Sequence, residues 1–150
     1  MYMAWIYRFA FSLLIITVYC HVPARSQDLN LVVIGNGKGV PADMKLAQLK
    51  STMKGEKLRW PDGSKVVIAL LKSTTPIGQN TSKKIYNMSS NELNKYWLAL
   101  VFQGKADAPN FFNSETELEE FVSQTSGAIG LVNQPATGSK TITIDGKKFL

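Results

Sequence analysis

Lys72-Ser73-Thr74-Thr75-Pro76 is the stretch of this 150-residue chain best equipped for chemistry. One ammonium and three hydroxyls stand together there. They follow an apolar run, Val66 to Leu71, and precede a helix-forming segment. A helix start offers free backbone N–H groups and the positive end of its dipole. That combination suits a small oxyanion, held by charge and hydrogen bonds. A second reading stays open: Thr75 or a neighbour caps the helix while Pro76 takes its first turn, with no ligand involved. Gly35-Asn36-Gly37-Lys38-Gly39 is the other loop to weigh, and Asn36 is its candidate ligand-binding residue. Its spacing is neither G-x-x-x-x-G-K-S/T nor G-x-G-x-x-G, because Val40 stands where the third glycine should be. The expectation for its backbone is a plain turn.

Other chemistry is excluded by what the chain lacks. Its only cysteine is Cys20 and its only histidine is His21. Both lie in a segment that reads as a secretory signal: Arg8, then the uncharged run Phe9 to Cys20, then small residues at Ala24 and Ser26. Cleavage after Ala24 or Ser26 is expected. The rival is an uncleaved anchor, which would place Arg8 in the bilayer at a cost of a few kcal/mol. Tyr19 stands where a small residue precedes a lipidated cysteine, which argues against lipidation. The expected organisation is a signal over residues 1–26 and one domain over 27–150. That domain has neither Cys nor His. Thiolate catalysis, Ser-His-Asp chemistry, His or Cys metal sites and disulfides are excluded together. Glu117, Glu119 and Glu120 lie early on a helix, where they favour its dipole, and no second carboxylate cluster complements them. The reading is non-enzymatic, with no catalytic residue, metal or cofactor. Of 17 basic residues, Arg8 and Arg25 leave with the signal and all 11 acidic residues stay, which gives 15 minus 11, or +4. The lysines are spread from Lys38 to Lys148, so a solvated surface is expected and no nucleic-acid partner.

The elements that position these residues follow from periodicity. Leu29 to Gly35 is short and β-branched and reads as a buried strand. Asp43 can cap a helix burying Leu46, Leu49 and Met53, with Gly55 as its stop. Trp60-Pro61-Asp62-Gly63 is a turn. Val66 to Leu71 is apolar without alternation, as in a strand covered on both faces. Ile77, Thr81, Ile85 and Met88 share one helical stripe. Ser89 and Glu92 form a capping box for a helix whose inner face is Leu93, Tyr96, Trp97, Leu100 and Val101. Gly104 ends it. Ser114 and Glu117 repeat the box, with Leu118, Phe121 and Val122 facing inward. Phe111 and Phe112 are expected in a loop after Pro109. Being adjacent, they cannot both point inward from a regular strand, so loop packing is the expectation and one exposed ring that meets a partner is the alternative. Ala128 to Val132 is another strand, and Lys140 to Ile144 alternates up to a turn at Asp145-Gly146. Alternating strands and helices give an α/β domain with a mixed, mostly parallel sheet. Ligands in such sheets sit beyond the carboxyl ends of strands. Three loops qualify: Gly35 to Gly39, Lys72 to Thr75, and Asn133 to Gly138.

Three signatures stand in fixed order: Leu58-Arg59-Trp60-Pro61-Asp62-Gly63, then Tyr96-Trp97 with Phe102-Gln103-Gly104-Lys105, then Ser126-Gly127-Ala128-Ile129-Gly130. With their spacings, the chain resembles the periplasmic phosphate-binding proteins of ABC transporters, in a short form. The resemblance covers about residues 29 to 150. It implies a periplasmic-binding-protein-like (type II) lobe, its sheet flanked by helices. It implies an exported, periplasmic solute-binding protein for phosphate or another small oxyanion, working with an ABC-transporter membrane subunit. At the critical junction the family has an arginine and then Ser-Gly-Thr at a helix start. Here Lys72 takes the arginine's place, and Pro76-Ile77-Gly78 takes the place of Ser-Gly-Thr. Only Ser73, Thr74 and Thr75 remain as substitute hydroxyls, and lysine lacks the bidentate contact of a guanidinium. Restoring Ser-Gly-Thr at 76–78 is expected to strengthen phosphate binding. The family's two-lobed members carry an earlier phosphate-contacting segment that has no counterpart in this stretch. The alternative function is therefore a degenerate binding fold that serves as an interaction module for a cell-envelope protein.

Overall fold

The structure is a computed structural model that describes residues 29–150. The expected signal segment and its expected cleavage sites lie outside the described residues.

The uninterrupted apolar runs become neighbouring strands. β1 (Val32–Gly35) and β5 (Ala128–Val132) are buried along their whole length, so both sheet faces are covered there. β3 (Val67–Leu71) is buried from Ile68 onward. β6 (Thr141–Ile144) alternates half-buried and buried residues, as its period-two sequence requires. Two short strands were not legible in the sequence, β2 (Asp43–Met44) and β4 (Asn110–Phe112). The six strands form one sheet in the order β2-β6-β1-β5-β3-β4. β3 runs parallel to β5 and β4, and β2 runs parallel to β6. β1 is antiparallel to both its neighbours, β5 and β6. The sheet is mixed, and β1 is the strand that departs from a parallel order.

The helices are α1 (Leu46–Met53), α2 (Pro76–Thr81), α3 (Ser90–Phe102) and α4 (Glu115–Gln124). A π-helical turn, Ser82–Tyr86, continues α2 and ends at left-handed Asn87. Ile77, Thr81 and Ile85 are buried and Met88 packs beside them, as the stripe predicts. α4 packs on the sheet through Leu118, fully buried against Gly130. A methyl group at Gly130 would stand 2.7 Å from a Leu118 methyl, so glycine is what lets the helix approach.

Three local expectations change. Lys45, not Asp43, holds the N-cap position of α1, where its backbone N–H donates to Gln48 Oε1 at 3.0 Å, and Asp43 lies in β2 beside Thr143. The Ser114 hydroxyl accepts from Glu117 N–H, but the Glu117 carboxylate accepts from Asn113 N–H, so the second box is half formed. Val101 is 41% exposed, whereas Leu93 and Trp97 are buried and Tyr96 and Leu100 are half-buried. The apolar stripe of α3 is wider than the face it buries.

The three signatures are folding joints. Trp60 Nε1 donates to Gly127 carbonyl at 2.8 Å, joining the first to the third. Tyr96 hydroxyl donates to Lys54 carbonyl at 2.7 Å, and Tyr86 hydroxyl to Met53 carbonyl at 2.6 Å, closing α1. Tyr86, Tyr96 and Trp97 meet edge to face, with centroids 5.7 to 6.5 Å apart. Burial pushes the Tyr86 phenol up, and the Tyr96 phenol in the same direction.

Candidate anion site

β3, β4 and β5 are parallel, so their carboxyl ends lie on one rim of the sheet. That rim carries Lys72-Ser73-Thr74-Thr75, Asn113-Ser114 and the loop from Asn133. The Gly35–Gly39 loop is elsewhere. β1 is antiparallel to β5, and Asn36 N–H donates to Ala128 carbonyl at the start of β5. The structure thus separates Asn36 from the other four predicted site residues by the length of the sheet. Its amide is also committed. Nδ2 donates to Val122 and Ser123 carbonyls at 2.8 and 2.9 Å, and Oδ1 accepts from Lys38 N–H at 2.8 Å. Asn36 closes the end of α4, satisfying carbonyls that a helix terminus leaves open.

Thr75 does what the capping reading expects. Its hydroxyl accepts from Gly78 N–H at 3.0 Å and donates to Lys72 carbonyl at 2.8 Å. Lys72, Ser73 and Thr74 line a cavity of about 290 Å³ with Ser82, Asn94 and Phe111. Ser82 is 1% exposed, and its hydroxyl has no hydrogen-bond partner. The Trp97 indole N–H is the other such buried side-chain group among the described residues. A buried hydroxyl without a partner forfeits about 1–3 kcal/mol, so a polar group that reached Ser82 from the cavity would be favoured. The sequence reading missed Ser82 and Asn94. Ser82 opens the π-helical turn after α2, one helical turn beyond buried Gly78, and no sequence pattern announces that turn.

The loop that leaves this rim at Asn133 and crosses toward Asn36 holds carboxylates of the chain itself. Glu115 Oε2 accepts from Asn133 N–H at 2.6 Å and from Gln134 N–H at 3.3 Å. Glu119 Oε2 accepts from Ala136 N–H at 2.8 Å and from the Ser139 hydroxyl at 2.6 Å. The Asn133–Gly138 loop is thereby an anion receptor already filled. A neighbouring cavity of about 280 Å³ is lined by Thr75, Pro76, Asn113 and Asn133, but also by Glu115. An anion there would face a carboxylate. Of the candidate loops, only Lys72-Ser73-Thr74 presents a cation and hydroxyls to a cavity that no carboxylate lines.

The Ser-Gly-Thr graft is corrected by Gly78. A Cβ there would press on the Lys72 carbonyl oxygen and lie 2.7 Å from the Leu71 carbonyl oxygen. Threonine does not fit, so the graft would displace α2 from β3 and would not rebuild a phosphate site.

Comparison with solved structures decides the architecture. An ABC-type phosphate transport receptor from Vibrio cholerae superposes with a TM-score of 0.61 at 13% identity. The match covers 77% of this chain and 46% of that one. PstS from Borrelia burgdorferi superposes with a TM-score of 0.55 at 18% identity, covering 79% of this chain and 48% of its own. Over the matched part the chain shares the fold of these proteins. It spans about half the length of these neighbours. No family model and no curated protein matches the sequence.

Proposed function

We propose that this is an exported, non-enzymatic solute-binding protein that holds a small oxyanion, phosphate or a relative of it, beside Lys72, Ser73, Thr74 and Ser82. The observation that carries the reading is the cavity that Lys72 and two free hydroxyls line, with no carboxylate in its wall and with Ser82, whose buried hydroxyl is unpartnered, among its residues. The fold likeness to phosphate receptors agrees with it; the location the reading implies is the periplasm, and the partner is an ABC-transporter membrane subunit. With one ammonium and no guanidinium, binding is weak. A second reading, an interaction module built on a degenerate binding fold, is favoured by Glu115 and Glu119. They occupy the N–H groups of a neighbouring loop that an anion would otherwise use.

Thermal unfolding in increasing phosphate, sulfate and chloride tests the proposal. A specific anion raises the melting temperature by mass action. Phosphate or sulfate should give a saturable rise that chloride at equal ionic strength does not. Lys72→Ala should abolish the rise and Ser82→Ala should weaken it. Ser82→Ala removes an unsatisfied buried group, so it should leave the protein without anion as stable as before or more so. No anion-specific rise, or a rise unchanged in Lys72→Ala, would overturn the reading and leave the interaction module.

A further inference from the structure

α3 carries an apolar stripe that nothing in the fold covers. Leu98, Val101 and Phe102 are spaced i, i+3, i+4, so they share one face, and they are 58%, 41% and 82% exposed. Leu58, on the hairpin opposite, is 52% exposed. Between that hairpin and the end of α3 runs a groove of about 540 Å³. Leu58 and Val101 line it. So do four cations: Lys57, Arg59, Lys65 and Lys105. The one carboxylate in its wall is Asp107, and it is neutralised by Lys65 at 2.6 Å. Arg59 is tied to the Gly63 carbonyl at 2.9 Å, which fixes its position without cancelling its charge. The groove therefore combines exposed apolar side chains with three cations that no carboxylate in the wall pairs with.

We propose that this groove docks a segment of a partner protein that bears Leu- or Phe-type side chains flanked by Asp or Glu. Apolar residues would fill the space between Leu58 and Val101 and cover Phe102. The acids would meet Lys57, Arg59 and Lys105. Charge decides against a second copy of this chain on the same face, because pairing would set these cations against their own copies. Shape decides against a bilayer, because a concave groove fits a protruding chain better than a plane. The site shares no residue with the anion cavity, so either proposal can fail without the other.

The test is fluorescence anisotropy of the chain without its N-terminal segment against short labelled peptides, with thermal unfolding to check that each variant folds. One peptide alternates Leu and Phe with Asp and Glu. A second replaces its acids with Lys, and a third replaces its apolar residues with Ser. The first should bind at least about tenfold more tightly than the other two, and less tightly as salt rises. Phe102→Ser should weaken it about tenfold. Lys57→Glu with Lys105→Glu should reverse the preference toward the lysine peptide, a gain that an unfolded variant cannot show. Binding to none of the peptides, equal binding to all three, or indifference to both variants would overturn the proposal. So would tighter binding to phosphatidylglycerol vesicles than to the first peptide. A concentration-dependent dimer that Phe102→Ser abolishes would assign the face to a second copy instead.

Discussion

Gly78 is where one residue decides what the end of β3 can do. A glycine inside a helix is worth about 1 kcal/mol less than alanine, so by propensity alone Gly78→Ala should stabilise. The Lys72 and Leu71 carbonyl oxygens block the added methyl, and these are backbone atoms that cannot rotate away. Overpacking of this kind costs about 1–3 kcal/mol, which against backbone atoms outweighs the propensity gain. Gly78→Ala should therefore lose stability in urea denaturation, and a neutral or stabilising result would mean that α2 does not rest on Lys72. Asn36 makes the same point from the other side. Its sequence context, between two glycines after a strand, fits a ligand loop. In the fold its amide is saturated by the end of α4 and by Lys38.

α3 shows how an element's local signals divide its work. At its start the Ser89 hydroxyl accepts from Glu92 N–H, and the Glu92 carboxylate accepts from Ser89 N–H at 2.7 Å. That backbone N–H, followed by the Ser89 hydroxyl, holds the Glu92 carboxyl below its ordinary value of 4.5. The folded state then binds fewer protons than the unfolded one. This contribution is present above the ordinary value and is lost as pH falls through the lowered one. In Glu92→Gln, the urea midpoint should fall less steeply below about pH 4.5 than in the parent. An unchanged slope would mean the box does not hold in solution. On the inner face, Trp97 is 3% exposed and wedged against Tyr86 and Tyr96. Trp97→Ala should cost about 3–5 kcal/mol, and a loss under about 1 would place the stripe in water. Phe121 is only half-buried and stacks at 5.0 Å on Phe112, so its truncation should cost less than that of Trp97. On the outer face Leu98, Val101 and Phe102 are left exposed, which makes them available to a partner.

At the scale of the whole molecule, one antiparallel strand arranges the sites. Had β1 run parallel to β5, the Gly35–Gly39 loop would have joined Lys72-Ser73-Thr74 on one rim. Because it runs the other way, Lys72-Ser73-Thr74 is the one candidate loop on that rim with a free cation and free hydroxyls, and it has the Glu115 carboxylate nearby. The basic groove lies near the opposite ends of β3 and α3, where Val66 and Lys105 approach each other. The domain thus presents two electropositive places that differ in chemistry: a small polar cavity and a larger groove with apolar walls.

The sequence alone determined the elements whose patterns are local. Ala128 to Val132 is a strand because five apolar residues leave no polar face to solvate. α3 begins at Ser89 because serine and glutamate three apart satisfy each other's backbone. Lys72-Ser73-Thr74 is at a strand's carboxyl end because a buried run precedes it and a proline-started helix follows. β2 and β4 were not legible because two or three residues carry no period. Their strand character comes from the neighbours they pair with. Only the tertiary structure decided the direction of β1, the saturation of Asn36, the inward turn of Ser82 and the exposure of Val101. Each depends on contacts between segments far apart in the chain. Periodicity records what one element prefers, and it cannot record which partner arrives or from which side.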